Sequence, residues 1–297
     1  MRILILGSGH AQGMPAWNDG CALALRARAK DPDVPYRRGA CLAISADGDR
    51  YSILEAPSHL ADTLTRTPCF APAAGSRAVP IDTLVLTSAE LDASQGALAL
   101  HRGLSARIAS PPDLQAAFED HDAGFRSLAP FWGAYPWDRP FPLDREGELE
   151  ARFFPLPGPV PDHLRELAPR AGRARCGVRV TDTRSGQRLV WAPRIAKMDS
   201  ATLAELRSAD LRFVDGTCYA DYEARSLRQG AHAAHEVGHF PIDGRGGSLA
   251  VLAGMSGRSF YIQMAAANAL CDRASPERER VEAAGIELAE DDMEMQL

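Results

Sequence analysis

The chain has no CxxC pair: its six cysteines (Cys21, Cys41, Cys69, Cys176, Cys218 and Cys271) are scattered along 297 residues. Such spacing argues against a disulfide framework and suits reduced thiols in a cytoplasmic protein. No apolar run approaches the ~20 residues that cross a bilayer, and the opening MRILILG lacks the cleavage pattern of a signal peptide and reads as a first strand. Basic excess is missing too. A net charge of -6 gives no general attraction to nucleic acid or to an anionic membrane, and Pro35-Tyr36-Arg37-Arg38 is too short to form a basic patch. There is no internal repeat. A phosphate loop is also excluded, because the glycines of GSGHAQG run into Met14-Pro15-Ala16-Trp17 where a dinucleotide fold requires a helix.

What is present is a chain long enough to bury a substantial core, as one large α/β domain or two small ones. Short β-rich runs occupy 3–6, 41–46, 51–56 and 83–88, then 152–156, 176–182, 188–193, 211–216 and 259–264. The Ala46-Asp47-Gly48 turn predicts a hairpin between the second and third runs. Helical patterning falls near 58–66, 112–118, 199–207 and 248–254. Strands from both halves interleaved with helices predict two sheets packed face to face with helices outside. The Pro- and aromatic-rich stretch 129–142 reads as an ordered insertion or lid, and the acidic EDDMEMQL as a surface end.

Three polar stretches follow strands. LVLTSAELDASQG puts Glu90 and Asp92 after a buried run, and FVDGTCY puts Asp215 where a rigid strand hands over to a loop. Functional groups concentrate at such junctions, although a turn aspartate that caps a helix gives the same pattern. HAAHEVGHF carries His232, His235 and His239. If 230–238 were helical, His232 and His235 would share a face, which suits a metal and equally suits two surface histidines. His239, between Gly238 and Phe240-Pro241, has a defined position in a turn and a side chain suited to proton transfer.

Several segments together are similar to one family. GSGHAQGMPAWNDGC, TSAELDASQG, DGTCYADYE, GHFPIDGRGGSLAVLA, FYIQMAAAN and ASPERERVEAAGIELAEDDMEM resemble the coenzyme PQQ synthesis protein B (PqqB) family, in one register over most of the chain. The resemblance implies a single domain over 1–297 with the metallo-β-lactamase fold, a four-layer αββα sandwich whose site lies at the strand ends. It implies a role in making pyrroloquinoline quinone (PQQ) or a related peptide-derived product, as a metal-dependent oxygenase that hydroxylates a tyrosine-derived intermediate. The alternatives are a metal-free carrier or scaffold, since transport has also been suggested for the family, and a metal-dependent hydrolase. The partner is then a small peptide-derived or aromatic substrate. The sequence leaves a homodimer open.

Residue by residue, the family's Asp, three intervening residues and Asp-His become Ser88, Asp92 and Ala93, with Glu90 where glutamine is usual. Asp215 matches the bridging aspartate, His239 the histidine of Gly-His-Met-Pro, and Gln263 stands at the late ligand histidine. The resemblance thus assigns catalysis to His239, Asp215 and Asp92, and metal binding to Asp92, Asp215 and Glu90. Oxygen-only ligands favour Mg or Mn over Zn, whereas iron oxygenases commonly use two histidines and a carboxylate. His10 and His59, and also His232 and His235, are candidate replacements, with Fe, Mn or Zn as the expected metal. The family's structural zinc thiolates read Asp19, Cys21 and Ala24, and one sulfur does not close a tetrahedral site.

Overall fold

The computed structural model describes all residues except 101, 102, 104 and 168–173, together with the side chains of 121 and 165–167. Among the described residues fourteen strands form two seven-stranded sheets. The first half of the chain gives β1 (Arg2–Gly7), β2 (Cys41–Ser45), β3 (Tyr51–Leu54), β4 (Ile81–Val85), β5 (Arg107–Ser110), β6 (Trp132–Ala134) and β7 (Pro140–Pro142). The second half gives β8 (Leu149–Pro155), β9 (Cys176–Asp182), β10 (Arg188–Ala192), β11 (Leu211–Asp215), β12 (Arg258–Ile262), β13 (Glu287–Leu288) and β14 (Glu294–Gln296). The sheet orders are β14-β1-β2-β3-β4-β5-β6 and β13-β12-β11-β10-β9-β8-β7.

Period-two alternation sorts the side chains into layers. Ile3 and Ile5 point with Leu42, Ile44 and Val85 into a core shared with Phe153, Val178, Trp191, Phe213 and Phe260 of the other sheet. Leu4, Leu6, Ile53, Leu84 and Ile108 point the opposite way, onto Leu60, Leu64, Phe118 and Phe125 of the outer helices. Val190, Val214 and Tyr261 likewise meet Leu206, Leu249, Leu252 and Val281 on the second sheet's outer face. Apolar runs without alternation, such as CLAIS with all five residues buried, are therefore strands covered on both faces. The result is the αββα sandwich expected from the resemblance.

All nine predicted strand runs are strands, and β2 and β3 pair antiparallel around the Ala46-Asp47-Gly48 turn. One reading needs correction. The stretch 129–142 is no separate lid: it places β6 at the edge of the first sheet, beside β5, and β7 at the edge of the second, beside β8. The acidic end lies at the surface, as expected, and is also structural, since β14 pairs antiparallel with β1 and Asp291 accepts hydrogen bonds from Ser8 and Arg38.

The two sheets are stitched together where strands of both end. Cys176 N–H donates to Thr87 O (2.9 Å) and Ala89 N–H to Ala174 O (3.0 Å), joining the loop after β4 to the start of β9. Gln263 N–H donates to Ser8 O (2.8 Å) and His10 N–H to Met264 O (2.9 Å), joining the loops that follow β1 and β12. The cleft opens between these seams.

Candidate functional site

A cleft of about 330 Å³ is lined by His10, Glu90, Asp92, Arg175, Arg194, His239 and Gln263, among others. Each comes from a segment just beyond a strand or from a tight turn, with Asp92 in the short helix Leu91–Ser94, so the rigid sheets fix the backbones while the side chains converge.

Asp215 is the last residue of β11 and lies on the inward face, in step with Leu211 and Phe213. Its Oδ2 accepts from Ile195 N–H (2.8 Å) and lies 2.8 Å from His239 Nδ1, while Oδ1 accepts from Thr217 N–H (3.0 Å). With the carboxylate as acceptor, His239 carries its hydrogen on Nδ1, and Nε2 is the nitrogen left for the cleft. The turn that presents His239 depends on Gly238, whose φ of 86° is left-handed. A Cβ there would also stand 1.8 Å from Arg175 Nη1, so glycine is required twice over.

Two guanidiniums frame the cleft. Arg175, 4% exposed, donates from Nη1 to Gly238 O (2.8 Å) and from Nη2 to Glu90 Oε1 (2.8 Å). Burial lowers its pKa from the ordinary arginine value and Glu90 opposes the shift. Arg194, 5% exposed, donates from Nη1 to Glu55 Oε1 (3.2 Å), which also accepts from the Thr87 hydroxyl. Burial raises the Glu55 pKa, and Arg194 and Thr87 restrain the rise. His10 is shifted down, chiefly because burial disfavours the imidazolium, with Asp92 working against the shift. Asp92 is half-buried and accepts no hydrogen bond among the described residues.

Of the residues singled out from sequence, the structure brings Asp92, Glu90, His10 and His239 to one cleft with Asp215 beneath His239. His59 lies elsewhere, its Nε2 accepting from Gly39 N–H at 3.1 Å. His232 and His235 are exposed, the first just before and the second within a 3-10 turn, Ala234–Val237, which replaces the helix considered over 230–238. His235 faces a neighbouring cavity with Phe240 and Pro241. Cys21 caps the helix Ala22–Arg28, its sulfur accepting from Ala24 N–H at 3.5 Å, and Asp19 accepts from Cys21 N–H at 2.8 Å. Arg175, Arg194 and the cleft position of His163 were missed, because arginines and a lone histidine carry no sequence signal that separates burial from surface.

These side chains do not fit a resident divalent ion. Asp215 already serves three nitrogens, and Glu90 and Glu55 are each bound to a guanidinium. Among the described residues no group of three or more His, Cys, Asp or Glu is arranged to hold a metal. A dication would also have to share the cleft with two arginines, whose like charge opposes it.

Residues 57–262 match the Beta-lactamase superfamily domain. The chain is 31% identical over its full length, and that of the relative, to coenzyme PQQ synthesis protein B of Azotobacter vinelandii. It is 32% identical to the Rhizobium meliloti protein of that name, over 100% of this chain and 98% of the relative. In three dimensions it is similar to Zn(2+)-bound PqqB from Methylobacterium extorquens, with a TM-score of 0.91, 28% identity and complete coverage of both chains. A diphosphatase from the PhnP family, at TM-score 0.65 and 14% identity over 99% of this chain and 97% of that one, shares the fold alone. Among the described residues no helix is long and apolar enough to cross a membrane. The two curated relatives, the full-length structural match and the superfamily domain agree, and the chain belongs to the coenzyme PQQ synthesis protein B family of the β-lactamase superfamily.

Proposed function

We propose that this chain serves the making of PQQ, or of a related peptide-derived product, by binding a small anionic, tyrosine-derived molecule in the cleft without a resident metal. The observation that carries this reading is the pair of buried guanidiniums, Arg175 and Arg194, opening into the same cleft as His239. Molecules made from amino acids carry carboxylates, and a buried carboxylate needs a charged partner. Asp215 orients His239 so that Nε2 can take a proton from the bound molecule or return one, which suits either a carrier or a simple acid–base step. The six unpaired cysteines suit a cytoplasmic setting.

The second reading is the metal-dependent hydroxylation of the tyrosine-derived part that the resemblance implies, which would require Asp92 and His10 to hold iron although Asp215, Glu90 and Glu55 are already engaged. In its favour, the Asp92 carboxylate faces the cleft beside His10 with no described hydrogen-bond donor. Metal analysis and thermal melting separate the two. The carrier reading expects PQQ to raise the melting temperature of chelator-treated protein, with substoichiometric metal before treatment. Stoichiometric iron or manganese that is lost in Asp92→Ala, with no response to PQQ once stripped, would establish the hydroxylase instead.

A further inference from the structure

Resting on that reading of the cleft, we propose that the Arg194 guanidinium stands in for a divalent cation. It binds a ligand carboxylate directly, while the Gln263 amide and Asp92 hold a neighbouring N–H or O–H of the same molecule.

The donors that face the cleft are unequally used. Arg175 has both terminal nitrogens committed, to Gly238 O and Glu90. Arg194 makes a single hydrogen bond among the described residues, to Glu55, and lines the cleft, so most of its donor fork remains for a ligand. A planar fork of this kind matches a carboxylate through two parallel hydrogen bonds, which a spherical ion does not enforce. Glu55 and Glu90 keep the two cations neutralised in the free protein.

Gln263 supplies an independent sign. It is 1% exposed, lines the cleft, and neither its amide nitrogen nor its amide oxygen has a partner among the described residues. Its φ of 68° is left-handed, a conformation unfavourable for a non-glycine residue. Buried amides are ordinarily satisfied, and leaving one without a partner forfeits its hydration with nothing in return. A group that persists in both conditions at the edge of a cleft is explained by a ligand that presents an acceptor and a donor together. Asp92, a carboxylate with no described donor, completes the set by accepting from the ligand's N–H or O–H. The chemical class is therefore a small carboxylic acid with an adjacent N–H or O–H, bound without metal.

The test is calorimetric titration of the chelator-treated full-length protein with PQQ and with its methyl esters, repeated with Zn2+ or Fe2+ present. Each metal is also titrated alone. PQQ should bind the stripped protein, the esters at least about tenfold more weakly, and added metal should change the affinity by less than about twofold. Gln263→Asn, which tolerates a left-handed backbone, should weaken PQQ about five- to tenfold with an unchanged melting temperature. Binding of PQQ only when metal is present, stoichiometric metal binding at micromolar or tighter affinity, or esters that bind as well as the acid would each overturn the inference while leaving the cleft as the binding site. Failure of PQQ and its esters under every condition would instead sink the functional reading, and the carboxylate assignment with it.

Discussion

At the scale of single residues, Glu223 shows how burial turns a side chain into a pH sensor. It is 6% exposed, its Oε2 accepts from Tyr219 N–H at 2.6 Å, and burial pushes its pKa up to about 7. In the unfolded chain a glutamate titrates near ~4.3. The folded state therefore holds the proton more tightly. Its contribution is fully present below pH ~4 and is lost as pH rises towards 7. Glu223→Gln keeps an acceptor for Tyr219 and removes the titration. The variant should gain on the wild type between pH 5 and 8 by up to about 2 kcal/mol, read as the difference in urea midpoints at the two pH values. A difference that stays flat across that range would remove Glu223 from the account.

The same scale shows what a sequence can reveal of a site. Asp215 was legible because a rigid apolar run ends on it, and His239 because glycine and proline pin its turn. The late position at Gln263 was seen through the family pattern, but its unsatisfied amide was not, since that depends on which loops surround it. Arg175 and Arg194 were not legible at all. Nothing local distinguishes them among the 33 lysines and arginines, and their burial arises only when the loop after β4 meets the start of β9 and the segment after β10 folds over Glu55. His59 had the right residue type near the right strand, yet its ring serves the backbone of Gly39.

At the scale of elements, strands buried on both faces were easy to read, because an unbroken apolar run of four to seven residues has few other uses. The edge strands were not. Pro140-Phe141-Pro142 lacks two backbone donors and pairs only at the border of its sheet, and Glu294–Gln296 is too short and polar to show a period. The interior strand β11 links core to chemistry. Phe213 is fully buried between the sheets, with ring centroids 6.0 Å from Trp191 and 5.2 Å from Phe260. Two residues later, on the same face, comes Asp215. Phe213→Ala should cost about 3–5 kcal/mol, seen as a lower urea midpoint with an unchanged slope. Because the strand also aims Asp215, the variant should lose PQQ affinity before it unfolds. A loss below about 1 kcal/mol would mean that the sheets repack around the gap.

At the scale of the whole molecule, the chain closes on itself along β1, from the start of that strand to the loop after it that lines the cleft. The amino terminus donates to Leu297 O at 2.8 Å and pairs with Asp182 at 3.3 Å, while β14 lies along β1. Asp291 is the knot of this closure. It accepts from Ser8 N–H (2.8 Å), the Ser8 hydroxyl (2.7 Å), Arg38 N–H (2.7 Å) and Arg38 Nε (3.2 Å). Ser8 lies two residues before His10, and its carbonyl receives Gln263 N–H, so the acidic end of the chain supports two walls of the cleft from behind. Asp291→Ala takes the acceptor from four donors, although Arg38 keeps its pairing with Asp292, and should cost about 1–3 kcal/mol. Asp291→Asn, which keeps an acceptor but loses the charge, should fall between. Hydrogen exchange locates the effect: the Ser8 and Arg38 amides should lose protection together, ahead of amides in the interior strands β10 and β11. Uniform loss of protection across both sheets would show instead that the carboxyl-terminal segment contributes only to global stability and does not shape the cleft.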